Sequence, residues 1–86
     1  MTMVIGYHEI DDSKHWLASP KREELMGPLG IKVRTFLDPQ NPNRAAVLCD
    51  VPDMAAFQAM MQSEAAAEAM KHDGVRADTL VLLIEA

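Results

Sequence analysis

Three histidines, one tryptophan, one cysteine and a few arginines are the side chains of this 86-residue sequence best suited to chemistry. His8 stands in an apolar run, MVIGYHEI, with Gly6 two residues earlier and so on the same face of a strand. A glycine there removes a side chain and leaves room for a close approach by a helix or a ligand. An imidazole titrates near neutrality and can act as a base or donor on the floor of such a gap. His8 is therefore the candidate catalytic residue. The alternative is a core histidine satisfied by a neighbouring carbonyl.

Trp16, the only tryptophan, can bury its ring against a sheet or form an aromatic wall for a ligand. Its neighbour His15 diverges from it by about 100° on a helix and points to solvent. Arg22 can neutralise an anionic ligand at a cleft mouth, although Glu23 and Glu24 offer it surface partners. Phe57 belongs with Met54, Met60, Met61 and Met70 as an apolar wall or adaptable core. His72 falls in the last turn of a helix, where the dipole favours a cation, and is the remaining ligand-binding candidate. The expected ligand-binding set is Trp16, Gly6, Arg22, Phe57 and His72.

No metal and no cofactor is expected. His8 and Glu9 alternate to opposite faces, and no helical His pair or Cys pair exists. The chain also has no glycine-rich phosphate loop. Cys49, in an apolar strand with no local base, reads as a small buried hydrophobe.

The elements that must position these residues follow from the apolar pattern. Residues 3–10 read as a strand, and Asp11 and Asp12 can cap a helix from about Ser13. Ser19-Pro20 is a second helix start and Gly27-Pro28 a stop. Residues 31–37 alternate with period two, placing Lys32 and Arg34 on one side, as on an edge strand. The turn-rich Asp38–Asn43 closes a hairpin before the apolar strand 45–51. Asp50 or Asp53 caps a helix that Ser63 can restart and Gly74 terminates. Residues 79–84 (TLVLLI) form the last strand. The order β-α-β-β-α-β is that of an α+β ferredoxin-like sandwich, a four-stranded antiparallel sheet ordered 4-1-3-2 with its helices on one face.

Composition narrows the partners. Thirteen acidic against eight basic side chains give a net charge of -5, which disfavours a nucleic-acid backbone as ligand. No apolar run approaches the ~20 residues of a membrane span. One cysteine and no leader pattern fit a single cytoplasmic domain spanning residues 1–86. The strands are nearly continuous in apolar residues, yet the helices can cover only one face of the sheet. Continuously apolar strands are those buried on both faces, so a second copy is expected to cover the other, giving a homodimer.

Several local features together resemble a known superfamily. They are Trp16 early in the first helix, Arg22 beyond it, and Gly30-Ile31 opening the second strand. Asp38-Pro-Gln-Asn-Pro-Asn-Arg44 in the hairpin and the stretch Ser63 to Val75 complete the set. The chain resembles the dimeric α+β-barrel superfamily, near uncharacterised relatives of the antibiotic-biosynthesis monooxygenases. The resemblance implies a homodimer whose sheets form a barrel, with a cavity between each sheet and its helices. It implies binding of a small apolar or aromatic molecule there. The alternative it offers is a cofactor-free monooxygenase or isomerase acting on an aromatic or polyketide-like substrate. The residues of the haem-degrading members do not map onto matching elements of this chain.

Overall fold

A computed structural model describes residues 1–86 as four strands and four helices. β1 (Thr2–Ile10) is followed by α1 (Ser13–Ala18) and α2 (Lys21–Met26), which runs into a 3-10 turn at Gly27–Leu29. β2 (Lys32–Asp38) and β3 (Asn41–Val51) form a hairpin, α3 (Met54–Met61) and α4 (Glu64–Asp73) follow, and β4 (Val75–Ile84) closes the chain. The sheet order is β2-β3-β1-β4 with every pairing antiparallel, the ferredoxin-like arrangement expected.

Local chemistry accounts for the joints. The Asp12 carboxylate accepts from the backbone N–H groups of Lys14 and His15 and starts α1. Asp53, not Asp50, caps α3 through the N–H of Ala56, and Ser63 recaps the chain at α4 through that of Ala66. Gly74 ends α4 at φ 71°, a left-handed conformation that glycine adopts without a Cβ clash.

Three boundaries differ from the sequence reading. The hairpin turn shrinks to Pro39-Gln40, because Asp38 and Asn41 each accept from the N–H two residues on and tighten the reversal locally. Asn43 then donates to the Ile10 carbonyl at 2.9 Å, drawing the start of β3 into the sheet. Gly27-Pro28 does not end the first helical unit outright. The chain continues through the 3-10 turn, and Gly30, at φ 71°, supplies the left-handed stop. Finally, β4 begins at Val75 rather than Thr79, since the Gly74 turn delivers the chain straight into pairing with Ile10.

That early start requires a slip. Glu9 pairs with Arg76, but Tyr7 already pairs with Val81, so β4 carries surplus residues opposite His8. Thr79 closes this bulge: its hydroxyl accepts from the Glu9 N–H at 2.8 Å and donates to the Arg76 carbonyl. Bulges re-aim side chains and are common beside active sites.

Alternation on β1 is strict. Val4, Gly6, His8 and Ile10 are buried toward the helices, whereas Ile5, Tyr7 and Glu9 are exposed on the opposite face. The helix-side core has two centres. One gathers Val4, Met26, Ile31, Cys49, Val51 and Phe57; the other gathers Ile10, Trp16 and Ala45. The opposite sheet face carries no helix. Ile5, Tyr7, Phe36, Val81 and Leu83 stand on it between 38% and 53% exposed.

Candidate ligand pocket

Between the two core centres, where Gly6 contributes no side chain, lies a cavity of about 80 Å³. That is roughly five to eight times the space one water needs. Gly6, His8, Val47, Leu80 and Leu82 form its floor on the sheet, and Trp16, Arg22, Phe57, Met60 and Asp73 belong to its helical walls. Fifteen of its nineteen lining residues are hydrophobic, so its few polar groups decide what it can hold. A methyl added at Gly6 would meet Leu82 Cδ2 at 3.1 Å and Val47 Cγ2 at 3.4 Å.

The polar groups form one connected row across Trp16. The His8 ring meets the Trp16 ring edge-on, with centroids 5.7 Å apart and planes at 74°. Above the indole, the Arg22 guanidinium carbon lies 4.4 Å from the ring centroid, a cation–π contact. Arg22 Nη1 is 3.9 Å from Asp73 Oδ2, an ion pair too long for a hydrogen bond. Nη1 is itself buried and has no hydrogen-bond partner in the chain. The Asp73 carboxylate is buried and accepts from His72 Nδ1 at 2.8 Å.

Protonation follows from these contacts. His8 Nδ1 lies 3.3 Å from the Glu9 carbonyl. A carbonyl can only accept, so Nδ1 carries the proton and Nε2 is left as an acceptor. Burial holds the His8 pKa below its ordinary 6.5; the Glu9 contact opposes this, and the nearby Arg22 charge adds to it. Burial also lowers the Arg22 pKa, which Asp73 offsets, and a guanidinium stays charged regardless. Burial pushes the Cys49 thiol up, away from the reactive thiolate.

A depressed folded-state pKa has a definite sign in stability. Below about pH 6.5 the unfolded chain binds a proton at His8 that the folded chain resists, so stability is full above that value and falls on acidification. Urea midpoints measured between pH 7.5 and 5 should therefore drop more steeply for the wild type than for His8→Gln. Equal slopes would mean that His8 is not held neutral.

Four of the five expected ligand-binding residues and His8 converge on the cavity: Gly6, Trp16, Arg22 and Phe57 line it. His72 does not. It sits one residue short of the α4 terminus and faces a separate, more polar cleft of about 360 Å³ between α2 and α4 with Lys21, Glu24 and Glu68. It reaches the site only indirectly, through Asp73.

The sequence reading missed Asp73. A carboxylate in the last turn of a helix opposes the dipole, and that mismatch was a readable sign that it must pair with a cation elsewhere. The sequence also gave no sign of the clasp between α1 and α4, where His15 Nε2 donates to the His72 carbonyl at 2.7 Å. Donor atoms of His15, His72 and Asp73 lie within 4.8 Å of one another, a juxtaposition that local spacing cannot show. His15 Nε2 and His72 Nδ1 are both engaged in hydrogen bonds, so the cluster works as a clasp between helices.

No family model matches this sequence, and no curated protein matches it. Solved structures do match along the whole chain. A candidate antibiotic biosynthesis monooxygenase from Bordetella bronchiseptica superimposes with a TM-score of 0.73 at 17% identity, covering 99% of this chain and 94% of its own. Another structure, of an antibiotic biosynthesis monooxygenase, gives 0.66 at 17% identity over 100% and 97%. A dimeric ferredoxin-like protein of unknown function from Jannaschia sp. CCS1 gives 0.67 at 16% identity over 100% and 99%. The chain thus has the ferredoxin-like α+β fold that these proteins share.

Proposed function

We propose that this protein is a homodimeric α+β-barrel module that binds a small apolar or aromatic molecule between its helices and its sheet. The observation that carries the reading is the cavity above Gly6, apolar on nearly all sides and flanked by buried His8 and Trp16. Well-packed interiors leave few voids larger than a water, and this one adjoins a strand bulge and a row of polar side chains. The dimer is supported by the apolar face opposite the helices and by the dimeric character of the Jannaschia relative. The chain has no helix long and apolar enough to cross a membrane. A single buried cysteine suits action in the reducing cytoplasm.

A role in holding a molecule ranks ahead of a monooxygenase or isomerase role. His8 is a neutral imidazole that could accept a proton, but the one carboxylate on the cavity wall, Asp73, is already engaged by His72 and faces Arg22.

The reading is tested by occlusion. In a thermal-shift screen of single-ring apolar compounds, at least one should raise the melting temperature of the wild type. Gly6→Val, whose first carbon already meets Leu82 and Val47, should keep its circular dichroism and weaken that compound's binding about tenfold or more. A screen without hits, or a hit unaffected by Gly6→Val, would overturn the reading.

A further inference from the structure

Two of the chain's three histidines meet a buried carboxylate where α1 is clasped to α4. His15 and His72 are exposed, Asp73 is buried, and one donor atom from each lies within 4.8 Å of the others. The imidazole centroids are 5.2 Å apart. Asp73 is held from two sides: Oδ2 lies 3.9 Å from Arg22 Nη1, and Oδ1 accepts from His72 Nδ1 at 2.8 Å. Two imidazole nitrogens and a fixed carboxylate oxygen are the donors that zinc-class ions prefer. Magnesium and calcium, which favour oxygen ligands, match the set poorly.

Hydrogen bonds join these groups, since His15 Nε2 donates to the His72 carbonyl and His72 Nδ1 to Asp73. A metal ion replaces those two protons when each imidazole moves its proton to its other ring nitrogen, a tautomer shift that changes no charge. The His72 carbonyl belongs to the last turn of α4, where water can satisfy it. Bonds of about 2.0–2.2 Å set adjacent tetrahedral donors about 3.3 Å apart. The 2.8 Å pair must therefore part by about half an ångström, an adjustment open to the exposed His72 ring.

We propose that His15, His72 and Asp73 form a binding site for a zinc-class divalent transition-metal ion, which ties α1 to α4 and keeps water in its remaining position. Glu24 and Glu68 of the adjoining cleft outnumber Lys21 there, and the chain carries a net charge of -5; both favour a cation. Arg22 opposes the ion electrostatically but orients its carboxylate ligand. The site is independent of the cavity reading, since neither histidine lines the cavity.

Zinc chloride and magnesium chloride are the probes, added to the full-length protein free of any histidine tag. Zinc in tenfold excess should raise the wild-type melting temperature by at least about 4 °C, and magnesium at the same concentration should not. His15→Gln and His72→Gln each remove one donor from an exposed position, and each is compared with its own melting temperature without added metal. Both should bind zinc at least about tenfold more weakly by calorimetry. If one variant fails to fold, the other decides. A wild type that zinc does not stabilise, an equal response to magnesium, or undiminished zinc affinity in either folded variant would overturn the site.

Discussion

In solution at micromolar concentration, the protein should scatter light as a particle of twice its 9.5 kDa chain mass. The reason lies in the side of the sheet that no helix covers. Tyr7 pairs with Val81 and Ile5 with Leu83 across β1 and β4, and these four outward-facing side chains share that surface with Phe36 of β2. Four strands at about 4.8 Å spacing and about 17 Å length present roughly 330 Å² in plan before side-chain relief is counted. The five large apolar side chains at the centre of this face, with Glu9, Lys32 and Arg34 of the same face around them, have the apolar middle and polar rim of an interface. A standard interface buries about 1,600 Å² in total. If half is apolar, the gross gain is about 20 kcal/mol at ~25 cal/mol/Å², enough to exceed an association cost of about 4–15 kcal/mol. Val81→Lys with Leu83→Lys places two ammonium groups per chain in the patch and leaves the inward-facing Leu82 untouched. The double variant should run as a monomer with its circular dichroism retained. A wild-type monomer, or a double variant that still dimerises, would refute sheet-to-sheet pairing.

Removing the Trp16 ring should produce the largest stability loss from any single side chain discussed. Trp16 is 1% exposed, packs with Ile10 and Ala45, and is the surface on which both His8 and Arg22 rest. Truncating a buried tryptophan to alanine costs about 3–5 kcal/mol. At about 0.05–0.15 kcal/mol per residue, a chain of this length has only ~4–13 kcal/mol in all. Trp16→Ala should consequently lower the urea midpoint severely or leave the chain unfolded, with Trp16→Phe intermediate. Circular dichroism is the suitable probe, at fixed protein concentration because dimerisation contributes to stability. A loss below about 1 kcal/mol would mean that the ring is not a packing element.

Much of the frame was legible because it is written in short-range signals. Asp12, Ser63 and Gly74 act on backbone groups within a few residues, so their roles could be read from identity and position. Period-two alternation placed His8 and Gly6 on one face of β1, but both faces of that strand are apolar, and only the packing of the helices shows which face they cover. Boundaries at the hairpin and at β4 were less legible. The hairpin tightened through Asx turns at Asp38 and Asn41, and the start of β4 depended on pairing with β1, whose residues lie over 60 positions away. Residue types at 75–78 (VRAD) carry no strand pattern, and only the sheet edge offered by β1 makes them one.

For the site the division is sharper. The sandwich order, the apolar face left bare and a histidine beside a missing side chain can all be read from the amino-acid order, because each depends on periodicity or on a single residue's steric character. Packing sets the rest: Arg22 lies over Trp16, Asp73 opposes it, and the β4 bulge falls opposite His8. It also moved His72 out of the cavity, since one residue's shift at a helix end turns a side chain by about 100°. These groups come from elements separated by dozens of residues. Their meeting is fixed by how two helix pairs settle on one twisted sheet, a packing outcome to which no local spacing corresponds.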